Sequence, residues 1–356
     1  MENSTKYSFS ALNPFTTSNK VDNSEKKVNN ADFILWGSDN HYPDYLYGLY
    51  EDCATLQSVI NGTADFICGD SVESYIKECN KLGEKFEDIV RKMVYDYLIY
   101  GAFALQVIKN PFGKVVEIYW VDMGKLRSDE KNEVFFYSDD WDKSVGRVKY
   151  IMYPKFNKND ENPTSIYYYK NDKSRKVYPS PIYNAAIDAA EIERKINDFH
   201  LNEISNNFLS SKIINFNNGT PDEEQKNEIE KAINEKFSGS ENAGRIMVAF
   251  NDNKDNAVSV ENLGVDNFAD RYNALSDRVE SQIFTAFRAT PALFGLPNKT
   301  TGFNSQEYAE AFKLYNRTTV KPIQKRIIDA FEKIYESGVI SIVPFNLENN
   351  AEKEVE

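Results

Sequence analysis

The sequence predicts an α+β chain, and three observations carry that prediction. Apolar residues keep helical spacing over 53–68 and 85–100, then give way to strand-like runs on either side of a turn signal at 110–113. Two longer helical stretches follow, one opening at Ser180-Pro181 and the other running from Asp266 to near Ala289. Between them, residues 211–264 carry a compact β-α-β-β pattern.

Residues 16–32 read TTSNKVDNSEKKVNNAD and offer almost no bulky apolar group to offset the entropy of ordering, so 1–32 is expected to be a flexible arm. The first helix shows in Leu56, Val59, Ile60, Thr63 and Ile67, with Gly69 as its stop. The second shows in Phe86, Ile89, Val90, Met93, Val94, Tyr97 and Leu98, ended by Gly101. Ala102–Lys109 and Lys114–Val121 flank Asn110-Pro111-Phe112-Gly113 as a hairpin. Further β-rich runs are Glu133–Tyr137, Arg147–Tyr153 and Ser165–Lys170.

Ser180 is a good N-cap, and Pro181 suits the first helical position, where a missing N–H costs nothing. Ala185, Ala189, Ile192, Ile196 and Phe199 then predict a helix reaching Phe208. In the insert, Lys212–Phe216 is a strand, Thr220-Pro221-Asp222-Glu223 opens a helix as a capping box, and Arg245–Phe250 and Ala257–Glu261 are strands. Phe268, Tyr272, Leu275, Val279, Ile283 and Ala286 form the next stripe, stopped by Thr290-Pro291. Asn304 caps a last helix, with Glu307 in the reciprocal position. It continues past Pro322 to Tyr335, and the proline predicts a kink near Thr318–Pro322.

The charge balance is 42 basic against 55 acidic residues, a net −13. Such a field repels phosphate and argues against a tight nucleic-acid coat while leaving room for local contact. Cys53, Cys68 and Cys79 fit no zinc spacing and suggest free thiols in a reducing compartment. His41 and His200 alone cannot supply a histidine metal site or a histidine-centred triad. No apolar run approaches the roughly 18–20 residues of a membrane span, and the N-terminus lacks an apolar signal core, so a soluble protein made in the cytoplasm is expected. Gly295–Gly302 has the ingredients of a phosphate loop in the wrong order and after a helix. No HExxH or GxSxG occurs, so the expectation is no enzyme, no cofactor and no metal.

Several strings together resemble the portal proteins of tailed bacteriophages. Trp36-Gly37-Ser38-Asp39-Asn40-His41-Tyr42-Pro43 is similar to an entry motif in one branch of that family. Tyr100-Gly101-Ala102-Phe103 before a hairpin resembles the wing, and Tyr178-Pro179-Ser180-Pro181 stands at the start of the stem, with Pro179 departing from the family's glycine. Glu241-Asn242-Ala243-Gly244-Arg245 resembles a clip turn, and Ala289-Thr290-Pro291-Ala292-Leu293-Phe294-Gly295 resembles the turn ending the second stem helix.

The resemblance implies a wing over 33–178, a first stem helix over 179–210, a clip over 211–264 and a second stem helix over 265–290. A tunnel loop over 291–304, a tunnel helix returning to the wing over 305–345 and a disordered tail over 346–356 complete it, with the family's C-terminal crown minimal or absent. It implies a ring, expected to be a dodecamer, at one capsid vertex of the virion after assembly in the host cytoplasm. Double-stranded DNA would pass through the channel during packaging and ejection, held weakly and without sequence preference. Expected partners are the terminase large subunit, the major capsid protein and a head–tail adaptor, with no membrane. The alternatives are another head–tail connector ring or a nucleotide-driven packaging motor; the motor would need a phosphate loop and acidic metal ligands.

Within this frame Asn298, Lys299, Thr300, Thr301, Gly302, Phe303 and Asn304 are expected to face the channel. Asp222, Glu223, Glu224 and Glu228 are expected to form a docking surface on the clip, although helix capping alone also explains acids there. Lys313, Arg317, Lys321 and Lys325 recur every four residues as a basic ridge that meets either DNA or a neighbouring subunit.

Overall fold

The computed structural model describes residues 23–27, 31–141, 147–171, 176–205, 212–216, 225, 228, 246–250, 268–295 and 305–345. They divide into two compact units, 1–184 with 288–356 and 185–287.

The strands of the first unit are β1 (Glu25–Lys27), β2 (Ile34–Trp36), β3 (Ser71–Ser74), β4 (Ala102–Lys109), β5 (Val115–Val121), β6 (Leu126–Ser128), β7 (Val134–Tyr137), β8 (Ile151–Pro154) and β9 (Thr164–Lys170). The second unit holds β10 (Lys212–Phe216) and β11 (Ile246–Phe250), and β12 (Ile340–Val343) returns to the first. Three antiparallel sheets build the first unit, in the orders β1-β2-β6-β7-β8, β5-β4-β9 and β3-β12.

Three helices precede the hairpin. α1 (Tyr42–Asp52) buries Tyr42, Pro43, Leu46 and Leu49, with Pro43 in its first turn. α2 (Ala54–Cys68) buries every residue of the predicted stripe and ends at Gly69. α3 (Phe86–Tyr100) opens on a reciprocal bond, Lys85 N–H to the Asp88 carboxylate at 2.9 Å, and ends at Gly101 in the left-handed region, φ 87°. Only glycine fits at 101, because a Cβ would lie 2.4 Å from the Ser180 carbonyl oxygen. The hairpin follows as expected, with Ala104 opposite Val121 and Ile108 opposite Glu117.

The entry motif folds into a buried knot. Asn40, at φ 71°, accepts the Trp36 N–H (3.1 Å) and the Arg127 Nε–H (2.5 Å) on its side-chain oxygen. Arg127 is fully buried and donates further to the carbonyls of Asn40, Gly124 and Leu126. Its guanidinium lies 4.8 Å from the Trp141 ring centre and 6.0 Å from that of Trp36. Burial without a carboxylate partner pulls its pKa down to about 10. Tyr178 stacks on Trp36 at 4.6 Å and donates to the Ile34 carbonyl.

Three expectations need correction. Part of the supposed flexible arm is ordered: β1 pairs with β2, and Glu25 accepts the Tyr178 N–H at 2.7 Å. A polar tripeptide orders here because a distant strand supplies its backbone partners. The stem helix does not open at Ser180-Pro181. A turn closes from Asn184 N–H to the Pro181 carbonyl, a 3-10 turn covers Asn184–Ala186, and α4 runs Ile187–Ser205. Tyr183, fully buried and donating to the Ile99 carbonyl at 3.0 Å, holds that segment off the helical path. The following helix, α5 (Phe268–Phe287), stops short of Ala289, because Arg288 turns into the left-handed region at φ 57°. Thr290 is extended, as a residue before proline should be, and Pro291–Phe294 is a 3-10 turn.

In the second unit α4 and α5 pack against each other, and β10 and β11 pair in parallel with Lys212 opposite Ile246. Gln225 and Glu228 are helical positions between those strands. Residues 206–208, the 241–245 turn and the expected strand 257–261 lie outside the described residues.

Candidate functional site

The helix after residue 304 is built as α6 (Ser305–Tyr315), a π-helical turn over Asn316–Val320, and α7 (Lys321–Ile334). Pro322 accounts for the wide turn. It has no N–H to give, and its ring crowds the carbonyl four residues back. The chain widens before it, and the Lys321 N–H reaches the Asn316 carbonyl five residues back. The Thr318 hydroxyl donates to the Leu314 carbonyl at 2.8 Å, and the buried Thr319 hydroxyl has no partner among the described residues. The predicted kink thus takes the form of one extra residue in a turn.

That extra residue resets the phase of the helix. Phe312, Tyr315 and Thr319 are buried, and the pattern restarts eight residues on with Val320, Ile323 and Ile327. In an uninterrupted α-helix eight residues drift about 80° around the axis. Here the wide turn takes the drift back, so the inward stripe stays inward. The basic residues follow the same repeat: Lys313 and Arg317 are succeeded by Lys321 and Lys325, and all four are exposed. Lys313 pairs with Glu310 at 2.9 Å, while Arg317, Lys321 and Lys325 make no ion pair among the described residues. The inner face is tied down: Gln324 donates to the Ile67 carbonyl (2.9 Å), Arg326 to the Tyr97 hydroxyl (3.0 Å), and Thr63 meets Tyr315 at 2.8 Å. Phe66 on α2 gathers Phe294, Phe312, Tyr315 and Phe345 around its ring at 5.2–6.2 Å.

The other candidate residues are less visible. Asn298, Lys299, Thr300, Thr301, Gly302, Phe303 and Asn304 lie outside the described residues, between Gly295 and Ser305. So do Asp222, Glu223 and Glu224; Glu228 is exposed. Among the described residues no three His, Cys, Asp or Glu side chains are placed to hold a metal, and no helix is long and apolar enough to cross a membrane. All three cysteines are buried free thiols; burial pushes Cys68 up to about 11 and Cys79 up to about 12. Sequence reasoning passed over Asp96 and Asp122. Asp96 is 5% exposed in the middle of an aromatic helix, where a buried acid was the only available signal.

The sequence profile of the phage portal protein family matches residues 76–348. The chain belongs to that family. Among solved structures it is similar to a chain in the neck of a native gene transfer agent particle computed with C12 symmetry, at 18% identity and TM-score 0.51, covering 85% of this chain and 84% of that one. A chain in the virion of the native gene transfer agent matches at 17% identity and TM-score 0.51, with 85% and 84% covered. An HK97-family phage portal protein from Corynebacterium diphtheriae gives 8% identity and TM-score 0.47, covering 81% of this chain and 90% of that one. No curated protein matches significantly.

Proposed function

We propose that this chain is one subunit of a closed ring at a capsid vertex through which double-stranded DNA is packaged and ejected. The observation that carries this reading is the family match over 76–348. The helix 305–334 adds to it, because its wide turn keeps four cations in phase on one solvent-facing side of a net acidic chain. Charge of that kind touches phosphate locally and reversibly, which suits DNA that must slide. Lys299, in the expected tunnel loop, would add one more cation per subunit. The clip, with Asp222, Glu223, Glu224 and Glu228, would dock terminase and the head–tail adaptor, and the wing would meet the major capsid protein. No catalytic step is assigned to it. Twelve subunits is the expected number, in keeping with the twelvefold symmetry used for one matched neck.

Electron microscopy of the purified full chain tests this. Rings with a central opening wide enough for duplex DNA are expected. A protein that stays monomeric at high concentration, or that hydrolyses ATP, would overturn it.

A further inference from the structure

A cavity of about 840 Å³ opens in the first unit between α1, α3, β5 and the turn after it. Its walls are aromatic: Tyr95, Tyr100 and Trp120 among others, with Tyr50 edge-on to Tyr95 at 6.4 Å. Five carboxylates line it against three cations. Those cations are already engaged: Arg91 with Asp65 (3.1 Å), Lys92 with Glu84 (2.5 Å) and Lys125 with Asp139 (3.0 Å). Two of the acids, Asp96 and Asp122, have no ion-pair partner among the described residues. Asp96 accepts only neutral donors, including the Trp120 indole N–H at 2.7 Å, and Asp122 accepts the Gly124 N–H at 2.8 Å.

The acids do not converge as metal ligands do, since no three of the described acids are placed to hold one ion. They are spread through a space the size of a small-molecule site. Electron-rich ring faces beside carboxyl groups that lack an ion pair favour a desolvated positive group, as the Lys92 ammonium 5.5 Å from the Trp120 ring centre already shows at one edge of the cavity. We propose that this cavity binds an extended organic cation, an aliphatic chain carrying more than one primary ammonium or guanidinium group. Burial raises both carboxyl pKa values, and a bound cation would draw them down again by favouring the charged form.

The cation could be a free polyamine or the side chains of a basic polypeptide segment, and two probes separate these sources. Spermidine and the tripeptide Lys-Gly-Lys are each titrated into the full chain by calorimetry, with tryptophan emission followed in parallel. Saturable binding of at least one probe, with a Kd below about 1 mM, is expected. Binding of spermidine alone assigns a free polyamine, and binding of the tripeptide identifies a polypeptide source. Asp122→Asn keeps the turn cap yet should weaken binding by about tenfold. Asp44→Asn, at the exposed mouth, offers a variant whose folding is not at risk and should weaken it less. Failure of both probes to saturate would overturn the proposal. So would unchanged affinity in both variants.

Discussion

Arg127 shows what one side chain can hold together. Its donors satisfy the side-chain and backbone oxygens of Asn40 and the carbonyls of Gly124 and Leu126, and two tryptophan rings lie within 6.0 Å of the group. Arg127→Ala leaves those buried acceptors unmet and removes the stacked surface. It should cost about 3–5 kcal/mol, read as a lower urea midpoint at unchanged slope; a cost below about 1 kcal/mol would show that the knot is dispensable. Asp96 works in the opposite sense. Burial, then the nearby Asp122, raises its pKa well above the usual carboxylate range. The folded chain therefore holds this proton to higher pH than the unfolded chain does. Its contribution is fully present below the unfolded pKa, about 3.9, and is lost as pH rises towards the folded value. Asp96→Asn keeps an oxygen for the Trp120 N–H and cannot ionise. Relative to the parent it should gain stability as pH rises above about 4 towards the folded value. A difference that stays flat with pH would refute the assignment.

At the scale of elements, the contact between α2 and the turn Pro291–Phe294 is the most exacting. A Cβ at Gly62 would stand 2.5 Å from the Phe294 ring. On helix propensity alone Gly62→Ala should stabilise by about 1 kcal/mol. Because the ring fills the notch, a loss of about 1–3 kcal/mol is expected, and Phe294→Leu on the same chain should recover part of it. Thermal unfolding of the three variants decides between gain and loss. This contact was not legible in the sequence, where Gly62 merely interrupts a helical pattern. What could be read had a local cause: the helices ended by Gly69 and Gly101, the hairpin around Asn110–Gly113, and the position of the disturbance before Pro322. What could not be read depends on distant partners. β3 pairs with β12 from near the other end of the chain, and β1 is ordered by β2 and by Tyr178. α1, with four of its eleven residues Tyr and a Gly in the middle, gives weak helix propensity, and its packing overrides that preference. The basic residues were legible as a four-residue repeat, but the wide turn that keeps them in phase was not. Asp96 and Asp122 gave no motif because their cavity is assembled from separate elements.

At the scale of the whole molecule, the open apolar surface of the second unit sets the prediction. On α5 the buried residues are Val279, Ile283, Phe284 and Phe287, and one turn earlier Leu275 is 38% exposed. On α4 burial is complete at Ala189 and Ala190, partial at Ile192 and Ile196, and Leu201 is 62% exposed. Two helices that pack against each other and still show apolar side chains leave surface for another chain to cover. When identical subunits cover one another through unlike faces, the contacts run head to tail, and they close into a ring where the rotation per subunit allows it. Leu201→Glu with Leu275→Glu alters only exposed positions, so the folded subunit should lose no more than about 0.5 kcal/mol per site. Each leucine buried between subunits contributes about 1.5–3 kcal/mol, so losing both should weaken each contact at least about a hundredfold. Sedimentation velocity should then find the parent as a large closed species and the double variant as monomers or short oligomers with an unchanged circular dichroism spectrum. A double variant that assembles like the parent would mean that these helices present their open stripe to something other than the neighbouring subunit.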